Sequence, residues 1–276
     1  LTAHYTVTQQ QRLKELDAAP DLLQAGFSSF AERDSAFEEL QKGLAAKNRE
    51  RLDLLRTTKF RTSLRELEFR LSATLTEAGF VEVATPIMLA KGMLAKMNIT
   101  PEHPLYEKVY WVSKDQCLRP MLAPNLYYLL GHLGRLWEKP VRIFEIGPCF
   151  RRESKGSRHL SEFTMLNAVE MGGDKEPGER LAEIIRLVMD TTGLSYKLKN
   201  EASEVYSETV DVEVNGMEVA SGAVGPHFLD HNWNIADTWA GVGFGLERLV
   251  MAGEGFNQIR RAGRSLVYLD GARLNT

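Results

Sequence analysis

Cysteine is scarce. Only Cys117 and Cys149 occur in 276 residues, far apart and in no C-x-x-C arrangement, which excludes a disulfide framework and offers no cysteine pair for structural zinc. That usage fits a reducing, cytoplasmic setting. Long apolar runs are missing as well: none approaches the roughly 18 to 20 residues that span a bilayer, and no basic-then-apolar leader opens the chain. Neither a membrane anchor nor an export signal is read, and Leu1 in place of a start methionine reads as a trimmed N-terminus. Charge of one sign is also lacking. A formal net charge of −3 and a pI near 6.1 remove a diffuse basic field as the means of holding nucleic acid and leave only local patches. No repeat or low-complexity tract appears. What is present is enough apolar material, 43% of the residues, to bury a sizeable core in one large domain or a domain with a small appendage.

Along the chain, residues 28 to 56 are charged and rich in Leu and Ala, with Phe30, Phe37, Leu40 and Leu44 spaced as one helical face; two helices broken weakly at Gly43 are predicted. Residues 1–58 are read as a helical segment preceding a core of 59–276. From Arg61 the pattern sharpens: Leu64, Leu67, Leu71, Leu75 and Ala78 fall at helical spacing, and Gly79 sits where a C-terminal cap belongs. Phe80–Val83 then alternates as a short strand, stopped at Thr85-Pro86 because proline cannot donate to a ladder. Val109–Val112 reads as a strand, Pro124–Trp137 as a helix started by proline, and Val141–Arg151 and Glu162–Met171 as strands around a polar loop. Leu181, Ile184, Ile185, Val188 and Met189 mark an amphipathic helix closed by Gly193. Val210, Val212 and Val214 alternate up to Asn215-Gly216, a strong hairpin signal, and Met217 and Val219 alternate away from it. Strands arriving as neighbours with short turns predict a mainly antiparallel sheet flanked by helices, an α/β (α+β) architecture outside the doubly wound class.

Three stretches carry chemistry. The first is I-F-E-I-G-P-C-F-R-R-E at 143–153, an apolar strand ending in three charges; period-2 geometry aims Arg151 and Glu153 to one face and Arg152 to the other. In isolation such a pair is a surface salt bridge. The second is the strand at 162–171, which places Phe163, Met165, Asn167 and Val169 on one face, so an amide stands in an apolar row. A buried amide without partners costs about 1 to 3 kcal/mol, so Asn167 needs either a neighbouring backbone group or a ligand. The third is G-V-G-F-G-L-E-R-L at 241–249, where the glycines end a strand in a glycine-rich turn and a helix begins, with Glu247 and Arg248 in its first turn. Arg248 in that helix's first turn opposes the helix dipole, which points to a partner such as a phosphate or a π face.

Taken in order, E-A-G-F-V-E-V-A-T-P, then F-R-R-E-S with H-L-S-E-F-T-M-L, then G-F-G-L-E-R-L resemble motifs 1, 2 and 3 of the class II aminoacyl-tRNA synthetases. Within that class, L-R-P-M-L-A-P-N-L-Y, F-E-I-G-P-C-F-R-R-E-S, E-F-T-M-L-N and S-G-A-V-G-P are similar to the catalytic domains of the pyrrolysyl family, from about residue 61 to the end and more loosely before it. The resemblance is to the short forms that lack a separate N-terminal tRNA-binding domain.

The resemblance implies a homodimeric enzyme that uses ATP and Mg²⁺ to activate pyrrolysine, and N-acylated lysine analogues, and passes the acyl group to the 3′ end of a cognate tRNA. Arg151 would bridge the carboxylate and the α-phosphate, Glu153 would read the adenine amino group, and Phe163 and Arg248 would sandwich the ring. His159 and Leu160 would border the phosphates, His159 being otherwise an ordinary loop histidine. Glu218, Val219 and Ser221 would complete the ATP site, with Glu218 and Ser221 as magnesium ligands. If Asn215-Gly216 is a two-residue turn, Glu213 opposes Glu218, and the like charges repel unless a cation or water relieves them. Ala123, Leu126, Tyr127 and Leu130, by spacing alone a core stripe, become the wall of an amino-acid pocket completed by Val169 and Trp239, with Asn167 bonding the substrate's side-chain carbonyl and Tyr206 capping it. Ala168 stands where that family has a larger residue and Phe228 where a tyrosine can occur; Ala168 alternates away from Asn167, so modest repacking and not a new substrate is expected there. Pro86 and the helix before it would lie at the dimer interface; Arg260, Arg261 and Arg264 are either tRNA-backbone contacts or a solvated charged surface. Two alternatives stand beside this reading: a paralogue passing an adenylate to a non-tRNA acceptor, and a non-catalytic tRNA-binding paralogue.

Overall fold

The computed structural model describes residues 2–152, 159–203 and 205–275. Seven strands, β1 (Val81–Glu82), β2 (Val141–Phe150), β3 (Glu162–Met171), β4 (Lys197–Ser203), β5 (Ser207–Val214), β6 (Met217–Gly225) and β7 (Trp239–Gly245), form one sheet in the order β1-β2-β3-β7-β6-β5-β4. Every adjacent pair is antiparallel except β1 with β2. Among the described residues six longer helices accompany it: α1 (Val7–Glu15), α2 (Phe30–Leu54), α3 (Ser63–Glu77), α4 (Ala123–Leu133), α5 (Pro177–Thr192) and α6 (Leu246–Glu254). This is the mainly antiparallel, helix-flanked architecture read from the sequence.

The two periodicities meet on one face of the sheet. Leu64, Leu67, Leu71 and Leu75 of α3 and the five apolar residues of α5 pack on Phe144, Leu166, Ala168, Val242 and Phe244, the positions that alternate toward them. Gly79 (φ +83°) and Gly193 (φ +71°) supply the left-handed residues that close α3 and α5. On the opposite face lie α4 and a small two-stranded antiparallel sheet of Met88–Ala90 with Gln116–Leu118. Asn215 and Gly216, both at positive φ, make the tight turn that sets Val214 opposite Met217 and Glu213 opposite Glu218.

β6 contains an irregularity that shapes the cavity side of the sheet. Its register against β5 slips by one residue between Glu218 and Ala220, a β-bulge, so Val219 and Ala220 both enter the helix-side core. Without the slip Glu218 and Ser221, three apart, would point to opposite faces; with it they share one.

Three local expectations are corrected. α2 runs through Gly43 without a break, because the exposed glycine meets nothing and a single glycine costs only about 1 kcal/mol in a helix of 25 residues. Val109–Val112 is not a strand: Trp111 makes one isolated bridge to Cys117, whose ladder is with Met88–Ala90. Arg261 is not a surface residue. It is 2% exposed, stacks on Tyr268, donates to the Glu15 carbonyl at 2.6 Å and pairs with Asp17 at 3.3 Å, so it clamps the N-terminal segment and offers nothing to a nucleic acid. That segment has a small core of its own around Tyr5, Leu13, Leu16, Leu23 and Leu44, and Arg273 adds a second clamp through Glu15 at 2.8 Å.

Candidate active site

On the sheet face away from α3 and α5 lies a cavity of about 440 Å³, within the range of small-molecule sites. Its floor exists because β7 reads G-V-G-F-G. A strand ends and a helix begins here as expected, but the glycines of 241–245 all lie in the strand and make no turn, and they alternate onto the cavity face while Val242 and Phe244 fill the helix-side core. A side chain at Gly241 would stand 3.3 Å from Val169, and one at Gly243 3.2 Å from Met165. The bare strand is thus the space. A period-2 run of glycine between apolar residues was the signal available for it.

Register sets one row across the sheet, Glu145 opposite Asn167, Asn167 opposite Gly243, Gly243 opposite Ser221 and Ser221 opposite Asp211, whose middle members Asn167, Gly243 and Ser221 line the cavity. The Asn167 side chain has no protein hydrogen-bond partner among the described residues and lines the cavity, so of its two readings the neighbouring backbone group falls away. One end of the cavity is apolar and aromatic. Ala123, Leu126, Tyr127 and Leu130 from α4 face Val169 and Trp239, with Tyr206 from the β4–β5 turn above them. Tyr127 is stacked on Trp233 at 5.8 Å and meets Trp239 edge-on at 5.2 Å and Tyr206 at 6.5 Å. Burial pushes the Tyr206 phenol up to about 12 and that of Tyr127 well above its usual value, so both hydroxyls stay protonated. Behind them Asp230 accepts from the Trp239 indole at 2.9 Å and from the His227 amide at 2.7 Å, fixing the indole wall.

The other end is polar. Arg151 leaves the end of β2 with its Nε donating to the Pro120 carbonyl at 2.8 Å and its guanidinium 5.3 Å from the Phe163 ring centre. Arg152 turns away onto Tyr110, as alternation requires. Arg248 has a partner within the protein that is neither of the two expected kinds, a phosphate or a π face: Nη1 donates to the Glu218 carbonyl at 2.8 Å and lies 3.4 Å from its carboxylate. The Glu218 side chain is 52% exposed and shares the cavity face with Ser221 through the bulge. Val219, His159 and Leu160 also line the cavity, whereas Glu153 lies outside the described residues. Ala168 is fully buried on the helix side and does not reach the cavity, and Phe228 is exposed.

Sequence reading missed Glu247. It is 1% exposed, borders the cavity, and accepts the Thr164 amide with both carboxylate oxygens at 2.8 Å; burial raises its carboxyl to about 7 against those bonds. Position in the first turn of α6 gave no hint of burial.

Known proteins share this architecture. The sequence model of the family described as tRNA synthetases class II core domain (F) matches residues 60–269. The chain is similar throughout its length to the crystal structure of pyrrolysyl-tRNA synthetase from Desulfitobacterium hafniense, at a TM-score of 0.94 and 50% identity, covering 99% of that chain. A second structure of a pyrrolysyl-tRNA synthetase from the same organism gives 0.92 and 49% over 97% of its chain. Among curated relatives, the lysine–tRNA ligase of Neisseria meningitidis is 32% identical over 161 residues, 57% of this chain and 29% of that protein. The O-phosphoserine–tRNA(Cys) ligase of Methanocaldococcus jannaschii is 25% identical over 190 residues, 65% of this chain and 35% of that protein. The chain therefore spans about a third of the curated relatives it matches.

Proposed function

Because the chain belongs to the class II tRNA synthetase core family, we propose that it is a pyrrolysine–tRNA ligase, acting from residues 59–276 in the cytoplasm on pyrrolysine and on lysines acylated at the side-chain nitrogen. One observation supports it above the others. Every described residue named from the sequence for ATP or the amino acid borders a single cavity, charged at one end and apolar at the other.

Activation joins two anions. A carboxylate oxygen attacks the α-phosphorus of ATP, the bond to the bridging oxygen of pyrophosphate breaks, and pyrophosphate leaves. Repulsion between carboxylate and phosphate has to be suppressed and the two held in line. Arg151 serves both ends of that problem, since its guanidinium bridges the two anions from a side chain already held by the Pro120 carbonyl. Phe163 and Arg248 hold the adenine between them, and Glu153 reads its amino group. No side-chain base is needed, because the attacking carboxylate is already ionised. Transfer then has a ribose hydroxyl of the tRNA 3′ end attack the acyl carbonyl, with AMP leaving.

Glu218 and Ser221 offer hard oxygen donors on one face of the cavity, which fits Mg²⁺, a cation commonly held by one or two protein oxygens together with phosphates. When bound it supplies charge neutralisation at the phosphates. At the other end Asn167 donates to the acyl carbonyl of the substrate, and the aromatic wall sets the size limit.

A homodimer is part of the proposal. Phe69, Val81, Ile87 and Met88, around Pro86 and α3, are exposed apolar side chains beside the open edge at β1. Arg260 remains exposed as a contact for the tRNA backbone.

The test is amino-acid-dependent ATP–pyrophosphate exchange with pyrrolysine, a side-chain N-acylated lysine and a mixture of the standard twenty, followed by acylation of the cognate tRNA. Exchange with the first two alone, and charging, is the expected result. Exchange with a standard amino acid overturns the substrate, exchange without charging moves the acceptor away from tRNA, and silence from all three overturns activation.

A further inference from the structure

Beside the cavity a buried ion pair joins three segments that the sequence keeps apart. Arg119 and Glu145, their side chains 2% and 3% exposed, meet at 2.7 Å. Arg119 Nε donates to the Pro148 carbonyl at 2.8 Å, and its Nη1 also reaches the carbonyl and hydroxyl oxygens of Thr85 at 3.1 and 3.0 Å. The Thr85 hydroxyl donates to Glu145 Oε2 at 2.6 Å and accepts from Asn125 Nδ2 at 2.8 Å, so its one donor and two acceptor sites are all used. Asn125 also donates to the Pro86 carbonyl at 3.0 Å. Gly147 leaves the guanidinium its space, since a Cβ there would stand 2.2 Å from Nη2.

A buried pair of this kind is poor evidence for stability, because desolvation opposes the attraction. Its placement suggests another role. The residue after Arg119 is Pro120, whose carbonyl holds Arg151, and the main chain of Arg119 accepts from Phe150 at 3.0 Å, one residue before Arg151. Asn125 lies in the first turn of α4, directly before Leu126 and Tyr127 of the apolar wall. Arg119 is therefore linked through its main chain and Pro120 to the arginine at the charged end, and through its guanidinium and Thr85 to the helix at the apolar end.

We propose that Arg119 is a positioning residue for amino-acid activation: paired with Glu145 through Thr85, it fixes the Pro120 carbonyl that orients Arg151 and the turn of α4 that carries the amino-acid wall. The inference rests on the pyrrolysine–tRNA ligase reading. Lysine cannot replace the arginine, since a single ammonium on a flexible stem does not span Pro148, Glu145 and Thr85 at once.

The experiment is ATP–pyrophosphate exchange by the full chain with an N-acylated lysine, comparing wild type, Arg119→Lys, Arg151→Lys and the double variant, with thermal melts of each. Misplacement by about 1 Å can reduce a rate roughly a hundredfold, so Arg119→Lys is expected to lower kcat about tenfold or more with the KM for ATP within about twofold. Because its effect on kcat runs through Arg151, it should lower kcat less than about twofold further in the Arg151→Lys background, whereas the rise in KM for the acyl-lysine that comes through α4 should be the same in both backgrounds. An unchanged kcat, or an equal loss in both backgrounds, overturns the proposal. Should Arg119→Lys melt below the assay temperature, Thr85→Val, which keeps the side-chain shape, carries the same comparison, and a wild-type kcat there overturns it equally. Wild-type protein inert toward every amino acid would instead remove the ligase reading and this inference with it, whereas an active wild type beside an unimpaired Arg119→Lys removes the positioning role alone.

Discussion

The two faces of the central sheet are built from the same strands and follow opposite rules. Toward α3 and α5, β7 presents Ala240, Val242 and Phe244 to a packed apolar core. Toward the cavity the same strand presents Gly241, Gly243 and Gly245, and its neighbours add Asn167, Ser221 and, by way of the bulge, Glu218. One face fills space and the other keeps it open. Alternation thus lets a single strand serve stability and binding through adjacent residues, and the effects of substitution should separate along the same line.

The largest separation is expected at Phe244. It is fully buried in the helix-side core, so Phe244→Ala should destabilise the protein by about 3 to 5 kcal/mol in urea unfolding while the kcat of the folded fraction changes little. Equal losses of kcat and stability would break the comparison. Glu247 tests the boundary between the faces. Its carboxyl titrates near 7 in the folded protein, above the ordinary value of 4.5, so the folded state binds the proton more tightly than the unfolded one. That stabilisation is fully present below about pH 4.5 and is lost as pH rises through 7, a decline on the order of 3 kcal/mol. Glu247→Gln, which stays neutral and can still accept the Thr164 amide, should lack this decline when unfolding is measured at pH 5 and pH 8. Parallel pH dependence in the two proteins would show that the Glu247 carboxyl is not the group responsible.

The same division explains what is legible in the sequence. On the helix face Leu64, Leu67, Leu71 and Leu75, and the apolar residues of α5, repeat with a helical period because burial demands it, and the strands they cover alternate for the same reason. The cavity face carries no such demand. Leu126, Tyr127 and Leu130 have the spacing of a core stripe whether they cover a ligand or a neighbour, and only the ordered likeness to known motifs assigns them to a pocket. The glycine strand reads as a turn because glycine marks turns more often than bare floors. Arg261 reads as a surface charge because its carbonyl and carboxylate partners come from residues 15 and 17, nearly 250 positions away, beyond the reach of any local pattern. Arg119 and Glu145 are silent in the sequence for the same reason: 26 residues separate the partners, and Thr85 is 34 positions from Arg119.

Two smaller effects sharpen the comparison from the cavity side. Asn167→Ala removes the amide assigned to the substrate's acyl carbonyl without disturbing a protein hydrogen bond among the described residues, so stability should hold while kcat/KM for an N-acylated lysine falls about thirtyfold, near 2 kcal/mol. The smallest change sits beside the largest. Gly243→Ala adds one methyl group next to Phe244, and its closest neighbour is the terminal methyl of Met165 at 3.2 Å, the flexible end of a side chain that can yield. Because Gly243 does not have a positive φ, the backbone accepts alanine, and the melting temperature should move little. The methyl group enters the cavity floor between Met165 and Asn167, where one carbon is worth about tenfold in discrimination, so kcat/KM for the bulky acyl-lysine should drop by about that factor while the KM for ATP stays unchanged. A loss confined to stability would show that the glycine serves packing, and would give both faces of β7 the same role.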